Sequence, residues 1–141
     1  MSKRETTDTI VIHCTQTPPG MDVDVDKVTQ WHKDRGFDTI GYHYLIKRDG
    51  TLQEGRQQDE VGAHAVAVNG TSVGVAMVGG GTPNMGWEDN FAPIQFQTLK
   101  TIIMKLKKDY EIEKVIGHYQ VDDKKECPSF DVPKWLEKNN L

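Results

Sequence analysis

Five histidines and two cysteines are the side chains here whose types can hold a metal ion or run nucleophilic chemistry. His13 sits near the end of one apolar run, TIVIHC at Thr9 to Cys14, and His118 ends another, KVIGH at Lys114 to His118. Cys127 follows nine residues later, in a polar loop ahead of a final helix-like stretch. There is no Cys-x-x-Cys pair and no His-Glu-x-x-His helix, so the chain carries no local zinc signature. The spacing offers convergence instead: two strand ends and one nearby loop can meet at a single point. Two imidazoles and one thiolate make a three-ligand site whose fourth tetrahedral position is open to water, as in catalytic rather than structural zinc. The same residues also fit a plainer reading, core histidines and an inert buried cysteine. Cys14 adjoins His13, but neighbouring residues of a strand face opposite ways, which disfavours a Cys–His nucleophile pair.

The elements that must position these residues follow from period and punctuation. The strand at Thr9 to Cys14 is closed by the turn residues TPPG, Thr17 to Gly20. From about Asp24 to Arg35, Val25, Val28, Trp31 and His32 fall on one stripe, with Asp24 as N-cap and Gly36 just past the end; this predicts an amphipathic helix packed on a sheet. Two extended runs around Asp49 and Gly50, within Tyr42 to Gly55, predict a hairpin. SVGVAMVGG, Ser72 to Gly80, reads as a central strand whose small and β-branched residues suit close packing on both faces.

The longest helix is predicted over Ala92 to Tyr110, with Leu99, Ile102, Ile103, Leu106 and Tyr110 at helical spacing and Lys100, Lys105, Lys107 and Lys108 on the wet faces. A short strand follows at Lys114 to His118, and a last helix starts near Asp131 with Pro133 tolerated in its first turn. Strands interleaved with helices plus one hairpin imply a single α/β domain over residues 1–141, a mixed sheet flanked by about three helices, with residues 1–8 as a flexible tail.

Bulk properties bound the function. A domain of 141 residues buries roughly 68 to 70% of the surface of its unfolded chain, enough for one core without staples. With 36% hydrophobic and 27% charged residues the composition is that of a soluble globular protein, and a formal charge of -4 argues against a direct nucleic-acid partner. No apolar run approaches the roughly 20 residues of a membrane span, and MSKRETTDTI is followed by no apolar signal region, so cytosolic synthesis, no membrane partner and a monomer are expected. In a reducing compartment, metal binding or chemistry is a better use of Cys14 and Cys127 than a disulfide.

Longer motifs carry a resemblance. VIHCT at Val11 to Thr15, QWHKDRGF at Gln30 to Phe37, GYHYLIKRDGT at Gly41 to Thr51, VGAHA at Val61 to Ala65, SVGVAMVGG at Ser72 to Gly80 and CPSFDVPKW at Cys127 to Trp135 occur in this order over almost the whole chain. The chain thereby resembles the zinc N-acetylmuramoyl-L-alanine amidases of the phage lysozyme and peptidoglycan-recognition-protein superfamily, and most closely the small phage enzymes. The resemblance implies one Zn2+ per chain held by His13, His118 and Cys127, peptidoglycan as substrate, and two further catalytic groups, Tyr42 and Lys125. It implies an endolysin that accumulates in the host cytoplasm and reaches the wall at lysis, with a second role in binding and inhibiting phage RNA polymerase.

Chemistry assigns roles to the two groups. An ammonium at Lys125 would stabilise charge developing on the amide oxygen. A phenol with a reference pKa of about 10 is a poor base at neutral pH, so Tyr42 is expected to orient water or relay a proton, a position where other branches of the family place a glutamate. Lys124 beside Lys125 leaves that assignment open by one residue. His64 resembles a substrate-groove histidine, with a structural role as its alternative. His43 and His32 read as packing histidines, and Trp87 either lines the groove or covers the core. Rival readings come from other classes. A non-catalytic peptidoglycan-binding module is disfavoured by the presence of Cys127, a regulatory polymerase-binding activity is compatible with the enzyme and can coexist with it, and a glycosidase would need a pair of carboxylates that the resemblance does not supply.

Overall fold

Alternation along the first strand decides the layering. All six residues of β1 (Thr9–Cys14) are buried, and they divide by parity: Ile10 and Ile12 join one apolar cluster, Val11 another. In the computed structural model, which describes residues 2–141, β1 lies between β4 (Ser72–Met77) and β5 (Lys114–Gly117), parallel to both. β4 also pairs in parallel with β2 (Tyr44–Ile46), which pairs antiparallel with β3 (Leu52–Glu54). The mixed five-stranded sheet therefore runs β3-β2-β4-β1-β5. The β2–β3 hairpin turns at Asp49 and Gly50 as the sequence predicts: Gly50 takes a φ of 89° and the Asp49 carboxylate accepts the Thr51 N–H at 2.9 Å.

One face of the sheet carries the main core. Ile10, Ile12, Tyr44, Ile46, Val73, Val75 and Met77 meet Leu99, Ile102, Ile103 and Leu106 of α2 (Pro93–Asp109) and Val132 of α3 (Val132–Lys138). Each such side chain fully buried contributes roughly 1.5 to 3 kcal/mol. Gln95, wholly buried, fixes the start of α2: its amide donates to Val78 O at 2.9 Å and Ile46 O at 3.3 Å, while its side-chain carbonyl accepts the Ala92 N–H at 2.8 Å.

The other face is thinner and more polar. Val28 and His32 are the buried residues of α1 (Val25–Asp34), and Val28 packs with Val23 and Ile40 over Leu45, Ala76 and Val78. Asp24 caps this helix, accepting the Lys27 N–H at 2.9 Å, and Gly36 follows its end with a φ of 95°, both as read from the sequence. By parity β4 presents Ser72, Gly74 and Ala76 here, small residues that leave room for imidazoles. Among the described residues no helix is long and apolar enough to cross a membrane.

Two segments depart from the sequence reading. Val66–Thr71 forms two short 3-10 turns that meet at a kink at Val68, where φ is -133° and ψ 16°, and no periodicity prepared for them. Residues 2–8, expected to be a flexible end, are instead tied to the body. Lys3 bridges to Glu60, the Arg4 N–H donates to Asp59 O at 2.8 Å, Val61 N–H donates to Ser2 O at 2.7 Å, and the Arg4 guanidinium donates to the carbonyls of Gln58 and Glu60. A short polar segment shows no period, and its partners lie more than 50 residues away, so nothing local announces the docking.

Candidate metal centre and active site

The parallel pairing of β1 and β5 sets Ile12 opposite Gly117, so His118, the next residue, emerges beside His13 at the carboxyl ends of both strands. Their ring centroids are 4.6 Å apart. This is where open α/β sheets habitually bind ligands. Cys127 reaches the same point because the Cys14 N–H, freed at the strand end, donates to its sulfur at 2.9 Å, and because its carbonyl accepts the Tyr119 N–H at 2.9 Å. One donor atom from each of His13, His118 and Cys127 lies within 4.8 Å of the others. A tetrahedral zinc with bonds of roughly 2.0 to 2.3 Å needs donors roughly 3.4 to 3.8 Å apart, so the trio fits with a small contraction. Two imidazoles and a thiol are also the donor set that favours zinc over magnesium or calcium.

The local field suits a cation. Burial holds His13 well below the ordinary imidazole range, with His64 and His118 adding to the effect. Burial also lowers His118, helped by Lys125 and opposed by Asp122, whose carboxylate stands 3.9 Å from its Nε2. Both rings are therefore neutral at pH 7, as ligands must be. Burial pushes the Cys127 thiol well up, with Cys14 adding to the shift, so a thiolate here requires a compensating positive charge.

Tyr42 and Lys125 meet these three residues in a cavity of about 460 Å³ that Trp87 also lines. The Tyr42 ring lies 5.0 Å from that of His13. Burial first, and then the two cysteines, drive the Tyr42 phenol far above its usual range, so it remains an O–H donor. Lys125 is among the residues that line the cavity and Lys124 is not. A turn closed by the Lys125 N–H on Asp122 O at 3.1 Å sets this orientation.

The N-acetylmuramoyl-L-alanine amidase family matches residues 3–130. The chain belongs to this family. The amidase is 45% identical to an endolysin of Klebsiella phage KP32 over 99% of its own length and 92% of that protein's, and 43% identical to the endolysin of Escherichia phage T7 over 99% and 91%. Among solved structures it matches the N-acetylmuramoyl-L-alanine amidase LysC from Clostridium intestinale with a TM-score of 0.81 and 30% identity, covering 96% of this chain and 87% of that one. Drosophila PGRP-LB matches at 0.76 with 26% identity over 92% and 78%. The expected fold and enzymatic activity, hydrolysis of the amide between N-acetylmuramic acid and L-alanine, are thereby established.

The remaining histidines of the amidase divide by their hydrogen bonds. His43 is a satisfied structural residue, as expected: its Nδ1 accepts the Gly74 N–H at 2.9 Å and its Nε2 donates to Glu60 O at 2.7 Å. His32 accepts the Gly41 N–H at 2.8 Å and holds the loop leading to Tyr42. His64 lines the cavity, but its ring nitrogens face His13 Nε2 at 2.8 Å and Ser72 Oγ at 3.2 Å. Sequence reasoning missed Ser72, Asp122 and Asn69, whose side-chain carbonyl accepts the N–H groups of His64 and Ala65 at 2.9 and 2.8 Å. The one available signal was a serine opening an otherwise apolar strand.

Proposed function

We propose that the chain is a zinc-dependent phage endolysin, made in the host cytoplasm and acting on peptidoglycan once the inner membrane is opened. The observation that carries the reading is the meeting of His13, His118 and Cys127 in one cavity with Tyr42 and Lys125. The phage relatives support the endolysin role. A zinc ion held by the three ligands would supply a Lewis acid and a water whose pKa falls to about 7.

The chain's own groups do the rest. As water adds to the lactyl carbonyl carbon, negative charge gathers on the carbonyl oxygen, and the Lys125 ammonium offsets it; a donor of this kind is worth about 3 to 4 kcal/mol in the transition state. Tyr42 keeps its proton, so it orients the water by hydrogen bonding and passes a proton onward rather than removing one. The C–N bond then breaks, the proton goes to the amine, and the products are a lactyl carboxylate and a stem peptide with a free L-alanine amine.

The test joins metal analysis of the purified protein to mass spectrometry of peptidoglycan digests with and without a chelator. Near-stoichiometric zinc and chelator-sensitive release of peptides beginning at L-alanine are expected. Zinc bound with the wall untouched would overturn the endolysin reading, and absence of zinc would overturn the ligand assignment. As a separate role, on the resemblance alone, we propose binding of phage RNA polymerase, checked by retention of the polymerase on the immobilised enzyme.

A further inference from the structure

His64 is a buried, polar side chain to which the chemistry above gives no task. Its hydrogen bonds can be ordered from the outside inwards. The Ser72 hydroxyl donates to Val68 O at 2.7 Å. A hydroxyl has one hydrogen, so its oxygen can only accept in the 3.2 Å contact with His64 Nε2, which places a hydrogen on that nitrogen. A neutral imidazole carries one hydrogen, so His64 Nδ1 is an acceptor, and the hydrogen in its 2.8 Å contact with His13 Nε2 belongs to His13. The lone pair of His13 is then left on Nδ1. Were His64 instead to donate from both nitrogens, His13 would carry its hydrogen on Nδ1 and have no ligating atom to offer.

The surroundings give His64 a single place. A Cβ at Gly74 would stand 2.6 to 2.9 Å from three atoms of its ring, and one at Gly62 would stand 2.6 Å from its Cδ2 and 2.7 Å from His43 Cε1. Two positions without side chains thus make the slot for the imidazole. From the chain side, Asn69 accepts the backbone N–H of His64 and of the residue after it.

We propose that His64, backed by Ser72, is a positioning residue that fixes the tautomer and ring angle of His13 for metal binding. This rests on the zinc-site reading above. Partners of this kind, one shell outside the ligands, typically govern metal affinity 10- to 100-fold. The test is competitive chelator titration of zinc on the whole protein and on His64→Leu, His64→Asn and Ser72→Ala, together with visible absorption of the cobalt-substituted forms. His64→Leu removes the acceptor and is expected to weaken zinc by about 10- to 100-fold and to shift the cobalt bands. His64→Asn, whose side-chain oxygen stands where Nδ1 stood, recovers most of the affinity and the bands. Ser72→Ala falls toward the low end of the same range.

The inference is overturned if His64→Leu holds zinc as tightly as the parent, or if His64→Asn binds as weakly as His64→Leu, the mark of simple ring packing. Should His64→Leu not fold, an unchanged zinc affinity in Ser72→Ala overturns it alone. A parent protein that binds no zinc would fail at the first titration, bringing down the ligand assignment and this inference with it. A parent that binds and variants that match it refute only the role of His64.

Discussion

The two faces of the sheet are built from the same strands and do opposite work. Against α2, Ile10, Ile12, Val73, Val75 and Met77 interlock with a helical apolar stripe. On the reverse, the same strands offer His13, Ser72 and Gly74, the loop ahead of β2 adds His43, and the buried side-chain polar atoms of the described residues all find partners. The apolar face tolerates imprecision in any one contact, because its stabilisation is spread over many. The polar face depends on individual hydrogen bonds of fixed direction, and they hold the imidazole of His13 in place. Stability and activity should therefore respond to different substitutions.

The comparison is broken most directly at Cys127. Cys127→Ala is expected to abolish zinc binding and chelator-sensitive amidase activity, while the melting temperature in chelator stays close to the parent's; retained stoichiometric zinc would contradict the ligand set. The converse change is Leu99→Ala, which empties a wholly buried position on the α2 face. It should cost about 2 to 5 kcal/mol by denaturant unfolding and leave kcat per folded molecule unaltered. Lys125→Ala sharpens the distinction within the site itself: zinc stays stoichiometric and kcat falls about 10²- to 10³-fold. Lost zinc in that variant would show that Lys125 supports the metal rather than the transition state.

The same contrast explains what the sequence made legible. The α2 face rests on periodicity, so Leu99, Ile102, Ile103 and Leu106 were readable as a stripe, and Asp24 and Gly36 as helix ends. His13 and His118 were placed at strand ends by the same reasoning and Cys127 in a loop, but their assignment as a ligand set rested on the resemblance, since convergence of the three depends on β1 and β5 being neighbours in the sheet. The hydrogen bonds of His64, Ser72 and Asn69 were out of reach. They are fixed by hydrogen-bond direction among residues that share no period, and by the space left at Gly62 and Gly74. The docking of Arg4 onto Gln58 and Glu60 escaped for the same reason, a long-range contact without local pattern.

Acid should act on one face only. Burial, with Arg4 adding, holds His43 down to about 4 in the folded protein, against about 6.5 in the unfolded chain. Burial lowers His32 and His64 in the same direction, to about 4 and about 3. For a base whose folded pKa lies below its unfolded one, the unfolded state binds more protons between the two values, so the stabilisation is complete above about pH 6.5 and is lost as pH falls toward 4. For His43 alone, the loss from pH 7 to pH 5.5 is about 1 kcal/mol. In chelator, so that metal release does not enter, the melting temperature should fall by a few degrees over that interval. Leu99→Ala should lower the whole curve of melting temperature against pH without altering its slope there, because the position it empties belongs to the apolar cluster of the α2 face. A flat parent curve would mean that the histidines of the polar face are not held neutral by burial, and the division between the two faces would then be one of shape rather than of electrostatics.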